Sequence, residues 1–153
     1  MYRLDERLVA DAYDWAREVE LRDTKSAQRF RDEYSQEPAR EKPSIGIGAT
    51  LSGDEFWHGK TYSEEAQWLV EQYDAGTYAT TEMEDYGTAT ALDRFDRLHR
   101  YLSVRCVVNF DRPHEGQTVR ESLDEDLGKP IMELGMENAF QVGSRIVDGL
   151  RKR

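Results

Sequence analysis

Three short segments, 44–51, 78–82 and 101–110, are rich in small and β-branched residues, and stretches of helical apolar spacing lie between and around them. This alternation constrains the fold more than any other feature. Strand, helix, strand, helix, strand, helix in that order argues for an α/β sandwich. Ser44-Ile45-Gly46-Ile47-Gly48-Ala49-Thr50-Leu51 carries no charge, and its glycines leave space for another backbone or a ligand. The turn Leu51-Ser52-Gly53-Asp54 ends it. Tyr78–Glu82 is a shorter strand candidate, and 101–110, with Leu102, Val104, Cys106, Val107 and Val108, is the strongest. Three strands fall short of the roughly five or six in an average sheet, which predicts completion by a further chain segment.

The helices follow from period 3.6. Leu4, Leu8, Ala12 and Trp15 mark one over 4–18, and Ser26 caps a second that turns Ala27, Phe30 and Tyr34 inward. Gln36–Pro43, with two prolines, is a loop. Ser63-Glu64-Glu65-Ala66 opens a third helix toward Asp74, with Ala66, Leu69, Val70 and Tyr73 apolar and Gly76 closing it. A fourth runs over 84–97 and is slim at Gly87, Ala89 and Ala91. Residues 117–130 are polar with a short helical turn, and Leu134, Ala139, Val142, Ile146 and Leu150 mark a last helix over 134–150.

Composition removes several function classes. At 153 residues the chain suits one domain. Eight Tyr, five Phe and three Trp are too many large apolar groups for a disordered polymer. A net charge of −10, with pI about 4.8, repels phosphate backbones and anionic lipid, so neither nucleic acid nor a membrane surface is an expected partner. No run of apolar residues is long enough for membrane insertion, and Met1-Tyr2-Arg3-Leu4-Asp5-Glu6 has no signal-peptide core, so the chain as it stands reads as soluble and cytoplasmic. Cys106 has no partner for a disulfide, and three isolated His with one Cys lack metal-ligand spacing.

Three clusters could carry chemistry. In Ser52-Gly53-Asp54-Glu55-Phe56-Trp57-His58-Gly59 an aromatic ring could stack on a flat heterocycle or simply pack, and His58 is either an acid–base group or a structural residue. Thr81-Glu82-Met83-Glu84-Asp85 places three carboxylates at a strand-to-helix junction. They suit the positive end of a helix dipole; equally, a carboxylate matches the two donors of a ribose diol, with Met83 against the sugar. In Val107-Val108-Asn109-Phe110-Asp111, Asn109 either ends the strand in a turn or reads a purine edge, with Asp111 holding that amide or touching the base.

Taken in order, these clusters, with Tyr86-Gly87-Thr88, Arg112-Pro113, Gly116-Gln117-Thr118 and Glu137-Asn138-Ala139-Phe140-Gln141-Val142-Gly143-Ser144, resemble the purine nucleoside permease family. That family is distantly similar to the nucleoside phosphorylases and nucleosidases. The resemblance implies the C-terminal part of a phosphorylase-like three-layer αβα sandwich, with an incomplete sheet and the N-terminal half of the family fold absent or supplied by a partner or homo-oligomer. It implies purine nucleoside binding linked to uptake. The alternatives are cleavage of the N-glycosidic bond, with phosphate as co-substrate and no other cofactor, or an inactive remnant. It assigns Glu82, Met83 and Glu84 to ribose, and Phe56, Asn109 and Asp111 to the base. Asn109 and Asp111 stand nearest the N7 chemistry. Val108 departs from the family's serine, and Asn109 replaces the usual acid with an amide that can donate a hydrogen bond to N7 but cannot release a proton.

Overall fold

The computed structural model describes residues 1–126 and 131–153. The first helix, α1, is Glu6–Ala16, shorter than the periodicity predicts because Asp5 caps it, its Oδ1 accepting from Leu8 N at 2.7 Å. Helix α2, Lys25–Asp32, is capped by Thr24 rather than Ser26; the Thr24 hydroxyl accepts from Ala27 N at 3.1 Å. The 36–43 loop contains a 3₁₀ turn over Glu37–Arg40. Strand β1 is Ala49–Ser52, helix α3 is Lys60–Gln72, strand β2 is Tyr78–Glu82 and helix α4 is Asp85–Arg94. Helices α5, Val119–Asp126, and α6, Ile131–Arg151, complete the chain. Part of the polar 117–130 stretch, residues 127–130, lies outside the described residues.

Strands β1 and β2 pair in parallel through the α3 crossover, with Thr50 opposite Thr80 and Ser52 opposite Glu82. The α/β class therefore holds, but the expected three strands are two among the described residues. In the first segment, pairing starts only at Ala49. A Cβ on Gly48 would lie 2.5 Å from Ala79 Cβ and 2.9 Å from the Thr77 carbonyl, so glycine is needed there for the close backbone approach its presence suggested. Residues 101–108 are not a strand: among the described residues, 102–110 form no backbone–backbone hydrogen bond. Propensity favours an extended backbone here; a ladder also needs a neighbour about 4.8 Å away. Val104 and Val107 stand exposed where a buried parallel strand would cover them.

The main core lies between α1 and α6, where Ala12 and Ala16 meet Val142 and Ile146, flanked by Trp15, Val19, Leu21, Ile45 and Leu102. The Trp15 ring lies against Gly149, in space that a side chain at 149 would fill. Buried Asn138 ties the α1–α2 link to α6: its side chain donates to the Arg22 carbonyl and accepts from Arg22 N, both at 2.9 Å. A second, aromatic cluster joins α2 to the 109–111 corner. Phe110 packs on Tyr34 with ring centroids 4.1 Å apart and on Phe30 at 5.7 Å.

Candidate functional site

Because β1 and β2 are parallel, their C-terminal turns emerge on the same side, where open α/β sheets bind ligands. Two hydrogen bonds lock these turns together. Gly53 N donates to the Glu82 carbonyl at 3.1 Å, and Tyr86 N donates to Ser52 Oγ at 3.0 Å. The aromatic cluster holds the third turn, 109–111, and Gly59 N donates to the Asp111 carbonyl at 2.7 Å. A cavity of about 690 Å³ opens between the three turns, within the size range of small-molecule sites. Phe56, Glu82, Met83, Glu84, Asn109 and Asp111 all line it.

The three carboxylates of the acidic cluster take different environments. Glu82 folds back over the start of α4, where its Oε2 accepts from Glu84 N and Asp85 N, both at 2.7 Å, and from Arg105 Nη2 at 3.1 Å. It thereby supplies the cap that the Glu84 side chain does not. The Glu82 side chain is only 8% exposed, and its Oε1 is buried with no hydrogen-bond partner among the described residues. Asp85 is buried and accepts from Tyr101 Oη at 2.7 Å, from Ser103 and from Arg105. Burial pushes its carboxyl up, but the hydrogen bonds from Arg105, Ser103 and Tyr101 outweigh this and hold it below the usual carboxylate range. Glu84 is 74% exposed and meets Arg105 Nη1 only at 3.6 Å. It is the least engaged of the three.

At the opposite wall, half-buried Asn109 makes one long bond, from Nδ2 to the Phe110 carbonyl at 3.4 Å. Asp111 is more fully engaged. Tyr78 Oη donates to its Oδ2 at 2.8 Å and Arg112 Nε meets its Oδ1 at 3.3 Å. Burial first, and then Asp111, raise the Tyr78 phenol well above its ordinary range, so it stays a neutral donor.

Of the aromatic pair after β1, Trp57 is committed to packing. Its centroid is 5.1 Å from that of Tyr62, and its Nε1 donates to the Tyr62 carbonyl at 2.5 Å. Phe56 is 63% exposed at the cavity, with no ring partner among the described residues. His58 also lines the cavity; it is buried, and its Nε2 shares a hydrogen bond of 3.1 Å with the Ser122 hydroxyl.

Arg105 and Tyr78 are among the cavity residues that sequence reasoning missed, with Gln36, Gln67 and Leu123. A charged residue interrupting the apolar run of 102–108 was the available signal for Arg105; Tyr78 gave none beyond its place at the start of a strand. Four carboxylates, Glu55, Glu82, Glu84 and Asp111, line the cavity against two guanidiniums, Arg105 and Arg112, an excess of two negative charges. Among the described residues, no group of three or more His, Cys, Asp or Glu is disposed to hold a metal.

The family model described as purine nucleoside permease matches residues 1–153. The chain belongs to the purine nucleoside permease family. A probable purine nucleoside permease of Schizosaccharomyces pombe is 29% identical over 155 residues, which cover 97% of this chain and 44% of the relative. This permease-family chain thus spans less than half the length of the curated relative it matches. No solved structure matches it. Among its described residues, no helix is long and apolar enough to cross a membrane.

Proposed function

We propose that this permease-family chain captures a purine nucleoside in the cavity at the ends of β1 and β2, as the binding step of nucleoside uptake. The observation that carries the reading is the convergence of the three separated turns on one cavity of ligand size. Glu84, exposed and weakly engaged, accepts from the ribose diol, while Glu82, its Oε2 bonded to the Glu84 and Asp85 N–H groups, holds the turn that presents it. Met83 packs on the sugar, Phe56 stacks on the base and the Asn109 amide donates to purine N7. Asp111, held by Tyr78 and Arg112, shapes the base end. The excess negative charge favours an uncharged nucleoside over a nucleotide. Capture is favoured over cleavage because the base end offers an amide and an engaged carboxylate rather than a carboxylic acid ready to protonate a leaving purine. A phosphorylase-like sandwich is the fold this reading implies, with further strands supplied from outside the 153 residues.

Calorimetry with inosine and hypoxanthine, paired with chromatography of the mixtures with and without phosphate, tests this. Saturable inosine binding without release of base is expected. Glu84→Gln weakens inosine about tenfold and leaves hypoxanthine unchanged, since only the nucleoside carries the diol. Base released only with phosphate indicates a phosphorylase, and base released without it a nucleosidase; either replaces the capture reading. Absence of inosine binding removes it.

A further inference from the structure

Helix α6 has two apolar faces. One, with Leu134, Val142 and Ile146, is buried. The other carries Met132, Met136, Phe140, Gly143 and Val147 at spacings of four, four, three and four, and stands in solvent; Met136 is 68% and Phe140 75% exposed. A surface helix normally turns charged and polar residues outward, so this stripe is an unpartnered contact face.

We propose that α6 pairs antiparallel with α6 of a second copy of this chain along this stripe. Size complementarity favours that occupant. With the twofold axis between residues 141 and 142, Phe140 lies opposite Gly143 of the second copy and Met136 opposite its Val147. A Cβ added at Gly143 would meet nothing within 4 Å, so the incoming ring has room. Charge supports the same register. Glu133 and Arg151 flank one side of the stripe near opposite ends of the helix. Antiparallel pairing brings each beside its opposite in the second copy, twice by symmetry, whereas parallel pairing would set the two copies of each residue on opposite sides of the seam and form neither pair. The helix dipoles are also opposed in this arrangement. The exposed apolar side chains offer roughly 500 Å² per copy, or about 1,000 Å² in total, the lower limit for a specific interface. The dimer is therefore weak and concentration-dependent.

Sedimentation equilibrium from low micromolar to submillimolar concentration tests the pairing. The expected mass rises from 17.8 kDa toward twice that value. Phe140→Glu keeps the mass monomeric throughout. Gly143→Leu also weakens association by filling the space opposite Phe140, although leucine is the better helix former, so its effect is not loss of the helix. Glu133→Arg and Arg151→Glu each weaken the dimer, and the double variant recovers it. Circular dichroism checks that each variant is folded. A monomer at every concentration overturns the proposal. So does a dimer indifferent to Phe140→Glu, which sits on another face, or a double charge variant that fails to recover.

Discussion

Replacing Arg105 with methionine tests the polar network behind the cavity. The guanidinium bonds both oxygens of Asp85, reaches Glu82 at 3.1 Å and lies 3.6 Å from Glu84. The contact with exposed Glu84 contributes next to nothing. The other two carboxylates are nearly buried, and breaking a fully buried pair costs about 3–5 kcal/mol. Two features lower that figure. Arg105 is 32% exposed, and both carboxylates keep other donors, Tyr101 and Ser103 for Asp85 and two backbone N–H groups for Glu82. The expected loss is about 2 kcal/mol at neutral pH, or roughly 4–8 °C in Tm for a chain of this size. The pH dependence has a definite sign. Asp85 is held below its ordinary value of 3.8, so its contribution is present above that value and is lost as pH falls through the folded value. The gap between wild type and Arg105→Met therefore narrows below about pH 4. Urea unfolding followed by circular dichroism at neutral pH and near pH 3 measures it. Equal stability at neutral pH, or a gap that does not narrow in acid, would refute the reasoning.

Phe56→Ala is expected to change stability by less than about 0.5 kcal/mol, because the ring is exposed, yet to weaken inosine about tenfold through lost stacking. Unchanged affinity by calorimetry removes Phe56 from the base site. Asn138→Ala deletes both hydrogen bonds to the Arg22 backbone in a buried position and should cost about 2 kcal/mol in thermal or urea melts. Hydrogen exchange read by mass spectrometry should show fast amides across 102–110 and slow ones in β1 and β2; protection of 104–107 would reveal a ladder there.

The helices and turns were legible because their signals are local. The apolar spacing of Leu8, Ala12 and Trp15 and of Ala27 and Phe30 marked two helices, although their caps proved to be Asp5 and Thr24 rather than the expected Ser26, and Gly48 announces a close approach through its missing side chain. Six of the residues that line the cavity, Phe56, Glu82, Met83, Glu84, Asn109 and Asp111, were legible because each lies at or just beyond the end of a segment with strand character, whereas Tyr78, Arg105, Gln67 and Leu123 were not. The states of those six were not legible. Glu82 and Glu84 look alike in sequence, and Arg105, arriving 23 residues after Glu82, helps make the first a buried cap and leaves the second exposed. Tyr78 engages Asp111 across 33 residues, and no local pattern announces that bond. Segment 101–110 shows the division most plainly. Its side chains favour an extended backbone, since β-branched crowding acts within a residue, whereas pairing requires a neighbouring backbone that only the tertiary arrangement can supply.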